Sequence, residues 1–93
     1  MSLFPRLYNK RIDKNIPKDA VLIDRTTFWG NMFKMENENE RNMVCDQFEN
    51  WIKHFPGVIK KAKKDLAGKD LVCWCHPKRC HGETLLRIAN EVP

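Results

Sequence analysis

The stretch LVCWCHPKRCHG, residues 71–82, decides the fold that we predict for this chain of 93 residues. Residues 71–75 form a short apolar run, which is typical of a buried β-strand. A polar loop follows, and residues 83–91 then show the apolar spacing of an amphipathic helix. A buried strand that leads through a polar loop into a helix is typical of a parallel α/β unit.

A second strand and two helices are predicted upstream. Residues 20–23 form another continuous apolar run, typical of a strand that is buried on both faces. Apolar residues between Val44 and Phe55 recur at helical spacing, which predicts a helix from about Asn39 that ends at the Pro56-Gly57 pair. A second helix is predicted after that pair, and Gly68 lies just past its end. Its solvent face is predicted to carry most of the lysines Lys60, Lys61, Lys63 and Lys64.

These elements predict one α/β domain over residues 1–93, with a short parallel sheet and about three helices. Residues 1–18 contain two prolines and several Asn and Lys residues. We therefore predict that they are an extended or loop segment packed on the domain. The two predicted strands are joined by a helical crossover, so they are expected to be parallel and the connection right-handed.

Composition narrows the class of protein. The chain has 42% hydrophobic and 31% charged residues, typical of a globular domain and not of a disordered chain. No apolar run approaches the roughly 18 residues that a membrane span needs, so no membrane partner is expected. Residues 1–8 are too short and too interrupted for a secretory signal. We therefore predict a cytoplasmic protein.

The net charge of +5 is unevenly distributed along the chain. Residues 36–50 contain five acidic residues and one basic residue, whereas the segments on both sides are basic. This pattern predicts two different surfaces. A basic domain is compatible with phosphate-rich partners, although simple solubility explains the charge equally well.

The cysteine-histidine segment carries the chemistry, because three of the four cysteines lie within eight residues. Four interpretations remain open. Cys73, Cys75, Cys80 and His81 are candidate zinc ligands. Cys80 is alternatively a reactive thiolate at a helix N-terminus, with His81 as its catalytic neighbour. The helix N-terminus and its basic loop are also a candidate phosphate site. In the last interpretation the cysteines fill the core and His81 caps the helix.

The position of the polar loops favours a functional site. In parallel α/β sheets, ligands bind at the carboxyl ends of the strands. Residues 24–33 and 76–82 both follow the carboxyl ends of predicted strands. If those strands are neighbours, Arg25, Asn31, Cys80 and His81 converge.

Several short motifs, taken together, resemble a family of small phage and prokaryotic domains catalogued as domain of unknown function 4326. The motifs cover most of the chain: Tyr8-Asn9-Lys10-Arg11, Ile23-Asp24-Arg25, Gly30-Asn31-Met32-Phe33, Phe48-Glu49, residues 68–75, Pro77 and Cys80-His81-Gly82. The resemblance implies no settled activity. It does imply that these residues belong to one site: Asn9, Lys10, Arg11, Arg25, Gly30, Asn31, Cys73, Cys75, Cys80 and His81.

The leading functional prediction is binding of a phosphate-bearing ligand, either a nucleotide or a nucleic acid. The site would be formed by the loop of residues 25–31 and the loop of residues 73–82. Enzymatic turnover is left open, with Cys80 or His81 as the reactive group. One alternative is a non-enzymatic phage accessory protein that binds a host protein in the host cytoplasm, and another is a zinc-stabilised structural module.

Overall fold

A short parallel sheet organises the fold in a computed structural model that describes residues 5–91. Its strands are β1 (Leu7–Asn9), β2 (Val21–Leu22) and β3 (Leu71–Cys73). The helices are α1 (Arg41–Ile52), α2 (Pro56–Asp65) and α3 (His81–Asn90), and a 3-10 turn (Glu38–Glu40) precedes α1. The predicted α/β fold, with a short parallel sheet and three helices, is confirmed for this part of the chain. Residues 1–4 and 92–93 of the predicted domain lie outside the described residues.

Strand β3 is the centre of the sheet. The strand order is β1-β3-β2, and both outer strands run parallel to β3. All three residues of β3 are buried, as is usual for the central strand of a parallel sheet, which is covered on both faces. The two strands predicted from the sequence are therefore neighbours.

Strand β1 lies in the segment that was predicted as extended or loop structure, and it was not singled out from the sequence as a strand. Its backbone is held by β3: Leu71 N donates to Arg6 O at 2.9 Å, and Lys10 N donates to Cys73 O at 2.8 Å. Strand β1 contains only three residues, and one of them is the polar Asn9, so the local sequence shows no strand pattern. The strand forms because β3 offers it hydrogen bonds from a distant part of the chain.

The two predicted strands are both shorter than the apolar runs suggested. Strand β2 contains only Val21 and Leu22, which are half-buried because β2 lies at the edge of the sheet, while the adjacent Ile23 is fully buried. The prediction of a strand buried on both faces is therefore wrong for β2. Strand β3 ends at Cys73, so Trp74 and Cys75 belong to the loop that follows it.

The helices agree with most of their predicted apolar faces, but α1 ends at Ile52, and Phe55, which was predicted to lie on its apolar face, is 44% exposed. Val44, Phe48 and Ile52 of α1 are buried, and α2 begins at Pro56 with its lysines exposed. Gly68 has φ +73° just beyond α2, where glycine is favoured. Among the described residues, no helix is long and apolar enough to cross a membrane.

The loop after β2 depends on close backbone packing at Gly30. A Cβ atom at this position would lie 2.6 Å from Asp24 O and 2.6 Å from Arg25 Cα. Both are backbone atoms of the same loop, so they cannot turn aside as a flexible side chain would. By contrast, nothing lies within 4 Å of a Cβ atom built at Gly57 in the first turn of α2.

We expect Gly30→Ala to lower the free energy of unfolding by about 1–3 kcal/mol, the usual cost of overpacking. Gly57→Ala is the matched control, and it should leave stability unchanged or raise it by up to about 1 kcal/mol because alanine favours helix. Urea denaturation followed by circular dichroism measures both. Equal midpoints for the two variants would contradict the close packing at Gly30.

Candidate functional site

A cleft of about 430 Å³ opens at the carboxyl ends of β2 and β3. Its walls come from the loop after β2, the loop after β3 and the first two turns of α1. This is the edge at which parallel α/β sheets bind their ligands. The cleft is therefore the candidate functional site.

Six of the ten residues that the resemblance placed in one site line this cleft: Arg25, Asn31, Cys73, Cys75, Cys80 and His81. The predicted convergence of the two loops is therefore present in the structure. Asn9, Lys10, Arg11 and Gly30 are not among the lining residues. Gly30 instead supports the Arg25 loop from behind, through the close packing described above.

Asn9 is buried behind the cleft and shapes the loop after β3. Its side-chain amide donates to Trp74 O at 3.2 Å and to His76 O at 2.7 Å. Its Oδ1 accepts from Arg11 N at 2.8 Å. The Asn9 side chain thus positions Trp74 and its neighbours, while Lys10 and Arg11 are exposed.

The Arg25 loop is fixed by backbone and amide hydrogen bonds. Arg25 Nε donates to Asn31 O at 3.1 Å. The Asn31 side chain accepts from Phe33 N at 2.9 Å and donates to Val44 O at 3.3 Å, which joins the loop to α1. Within residues 5–91, the terminal nitrogens of Arg25 have no protein partner.

Trp74 stands at the rim of the cleft and was not singled out from the sequence as a site residue. Its side chain is 49% exposed, and its Nε1 donates to Asp24 Oδ2 at 2.9 Å. Asp24 also accepts from the Thr26 hydroxyl, and hydrogen bonds from Thr26 and then Trp74 lower the pKa of the Asp24 carboxyl. An ionised Asp24 therefore holds the edge of the indole ring.

Three thiols line the cleft, those of Cys73, Cys75 and Cys80. The hydrogen bond from Cys80, followed by the Arg41 guanidinium, lowers the pKa of the Cys75 thiol. Donation to Cys73 and Cys75 raises the pKa of Cys80, whose sulfur also accepts from Gly82 N at 3.4 Å as the N-cap of α3.

The fourth cysteine also belongs to this cleft. Cys45 on α1 is buried, and it lines the same cavity. Burial raises the pKa of its thiol. Cys45 is therefore expected to be less reactive than an exposed thiol.

His81 has a defined tautomer because both neighbours of its Nε2 are carbonyl oxygens. Nε2 lies 3.0 Å from Ile23 O and 2.9 Å from Trp29 O, so it carries the proton and donates to both. Burial lowers the pKa of the ring, which keeps it neutral. Nδ1 is then an acceptor, 3.5 Å from Cys80 Sγ. The helix cap is Cys80, which corrects the interpretation of His81 as the cap.

Two further arginines that the site prediction missed build the wall next to α1. Arg41 donates to Glu38 at 2.9 and 2.7 Å and to Arg79 O at 3.0 Å. Arg79 pairs with Asp46 at 2.7 Å and donates to Asn42 O at 3.2 Å. The nitrogens of Arg41 and both terminal nitrogens of Arg79 donate to protein groups. The hydrogen bonds that join α1 to the loop after β3 connect residues more than thirty positions apart along the chain. No local sequence pattern reveals such pairs.

The zinc interpretation stays a prediction. Within the described ranges, no group of three or more His, Cys, Asp or Glu side chains is arranged to hold a metal ion. The Nε2 atom of His81 is already engaged with two carbonyl groups. Only its Nδ1 atom, on the Cys80 side, faces the thiols.

Comparison with known proteins supports the resemblance inferred from the motifs. The family described as Domain of unknown function (DUF4326) matches residues 8–91. A relative from Enterobacteria phage T4, the "Uncharacterized 12.4 kDa protein in nrdA-td intergenic region", is 36% identical over 75 residues. That alignment covers 77% of this chain and 68% of the phage protein. No solved structure matches the chain.

We expect the buried His81 to make stability depend on pH. Its pKa is lowered in the folded state, so the unfolded chain takes up the proton first as the pH falls below the ordinary value of 6.5. The His81 contribution is complete above pH 6.5 and is lost below it, by up to about 1.4 kcal/mol per pH unit.

NMR titration of the ring tests this directly. The expected result is an Nε2-protonated, neutral ring that titrates below pH 6.5. His81→Gln should reduce the pH dependence of unfolding between pH 5 and 6.5, whereas His54→Gln, at an exposed position, should retain it. A His81 ring that is charged at pH 7 would contradict the assigned tautomer.

Proposed function

This chain belongs to the DUF4326 family, and we propose that it binds a nucleotide in the cleft at the carboxyl edge of its sheet. The observation that carries the proposal is Arg25, an anchored arginine whose terminal nitrogens have no partner in the described residues and which lines the cleft. The phosphate would be held by Arg25. The nucleobase would lie against Trp74.

The charge of the cleft favours an anionic ligand. Its lining contains Arg25, Arg41 and Arg79 but only one carboxylate, Asp24. Arg41 is ion-paired with Glu38 and Arg79 with Asp46, so the charges of these two arginines are largely offset by carboxylates. Arg25 has its Nε fixed by Asn31 O, which leaves the terminal nitrogens for a bidentate contact with phosphate.

The size of the cleft favours a single nucleotide over a long nucleic-acid strand. A volume of about 430 Å³ falls within the usual range of small-molecule pockets. Recognition of a long strand ordinarily needs an extended groove lined by several unpaired cations. The exposed lysines of α2 are not among the lining residues of this cleft.

Trp74 provides a surface for the base. Its Nε1–H is held by Asp24, so the ring has a fixed orientation, and about half of the side chain is accessible. Stacking on an aromatic ring is tolerant of base identity, because every base has a π-face. The proposal therefore predicts phosphate selectivity from Arg25 and weak base selectivity from Trp74.

The other functions considered from the sequence stay predictions. They are binding of a nucleic acid, binding of a host protein and a zinc-stabilised structural role. In residues 5–91, no observation favours them over a ligand in the cleft. Catalytic turnover of the nucleotide is not included in the proposal.

Arg25→Gln should weaken nucleotide binding by about ten- to a hundredfold, because charge-assisted hydrogen bonds contribute about 1.5–3 kcal/mol. Arg11→Gln is the matched control, since Arg11 is exposed, lies outside the cleft lining and carries the same charge. Titration calorimetry with AMP, ADP, ATP and inorganic phosphate measures the affinities. Absence of binding by the unmodified chain, or equal losses in both variants, would refute the proposal.

Trp74→Ala should weaken binding of nucleotides by about 1–3 kcal/mol, the usual contribution of stacking on one base. Binding of inorganic phosphate should remain unchanged, and this serves as the internal control. Trp74→Phe should retain most of the nucleotide affinity. If Trp74→Ala weakens phosphate and nucleotide binding equally, Trp74 acts only by holding Asp24 and does not contact the base.

A further inference from the structure

Two of the three arginines in the cleft lining have carboxylate partners. Arg41 pairs with Glu38 at 2.7 Å, and Arg79 pairs with Asp46 at 2.7 Å. Arg25 forms no ion pair with any described residue, and its terminal nitrogens have no protein acceptor there. No lysine in the described part of the chain lines the cleft. Among these residues, the cleft therefore offers a ligand one uncompensated cation.

The N-terminus of α3, which the sequence made a candidate phosphate site, is occupied by groups of the chain itself. Cys80 N donates to Glu83 Oε2 at 3.1 Å, and Gly82 N donates to Cys80 Sγ at 3.4 Å. These contacts belong to the capping box of the helix. The Glu83 carboxylate thus takes the place that an anion prefers at a helix N-terminus. A second phosphate would find neither N–H group free and would meet a like charge.

Asp24 is the one carboxylate among the described lining residues, and both of its oxygens are engaged. Its Oδ1 accepts from Thr26 N at 2.9 Å, and its Oδ2 accepts from Trp74 Nε1 at 2.9 Å. Magnesium that accompanies substrate phosphates is ordinarily held by one or two protein carboxylates as well. Within the described lining, no second carboxylate is present for that role. Additional phosphates would therefore bring uncompensated negative charge close to Asp24.

The surface for the base and the donor for the phosphate are attached to consecutive residues. Asp24 holds the edge of the Trp74 ring, and Arg25 follows Asp24 directly in the chain. Adjacent Cα atoms are about 3.8 Å apart, so the two points of attachment are close together. A single phosphate joined to the sugar keeps its charge near the base, whereas each further phosphate moves the terminal charge away. The short separation therefore favours a ligand with one phosphate.

We propose that the cleft selects a nucleoside monophosphate and binds it without a divalent cation. This inference rests on the proposed nucleotide site and names its class of ligand. Arg25 forms a bidentate contact with the single phosphate, and Trp74 stacks on the base. Nucleoside diphosphates and triphosphates are disfavoured, because their additional phosphates find no unpaired cation in the described lining.

Titration calorimetry of the full chain with AMP, ADP and ATP tests the selectivity, first with magnesium and then with EDTA. AMP should bind about tenfold or more tightly than ATP, because like charges placed together at a binding site are costly. The affinity for AMP should be the same with magnesium and with EDTA. Ribose 5-phosphate should bind more weakly than AMP, since it has no base to stack on Trp74.

The ion pair of Arg41 provides a variant that tests the charge argument. Glu38→Gln removes the carboxylate beside Arg41 and keeps an oxygen acceptor for it, and Glu38 is exposed. This variant should strengthen ATP binding by about three- to tenfold, because it frees a cation in the cleft lining. AMP binding should change less. Glu91→Gln is the matched control, since it removes the same charge from an exposed pair with Arg87 outside the lining.

The possible failures are distinguishable. ATP binding as tight as AMP binding, or loss of AMP binding in EDTA, would overturn the monophosphate class. If Arg25→Gln still weakens ATP binding in that case, the nucleotide site itself stands. Equal effects of Glu38→Gln and Glu91→Gln on ATP would overturn the charge basis of the selectivity. Absence of binding by all three nucleotides would refute the nucleotide site and the monophosphate class together.

Discussion

The two hydrogen bonds from His81 Nε2 join the elements on which the cleft depends. They connect the first residue of α3 to Ile23 O at the end of β2 and to Trp29 O in the following loop. A buried carbonyl group without a hydrogen-bond donor would cost about 1–3 kcal/mol. The single N–H of the neutral His81 ring provides a donor for two such carbonyl groups. The same contacts orient Nδ1 toward Cys80. The contact between His81 and Cys80 is thus a consequence of how the loop after β2 is attached to α3.

Acidic and basic residues that are separated along the sequence form ion pairs in the structure. The acidic segment was predicted to form a surface distinct from the basic segments. In the structure its carboxylates pair with them: Asp46 with Arg79 at 2.7 Å, Glu49 with Arg87 at 2.9 Å and Glu38 with Lys78 at 3.4 Å. Exposed pairs of this kind contribute little stability. Their effect on the site is selective, because they engage Arg79 and leave Arg25 without a carboxylate partner in the described part of the chain.

Periodicity was sufficient to predict the helices, since Val44, Phe48 and Ile52 mark one face of α1 within a single window of sequence. Strand adjacency and the meeting of Arg25 with His81 followed from the rules of parallel sheets. The missed features share one physical property, which is dependence on contacts between distant residues. Trp74 meets Asp24 across fifty residues, and Asn9 meets His76 across sixty-seven. Strand β1 likewise forms by pairing with β3, and no pattern within three residues encodes such a partner.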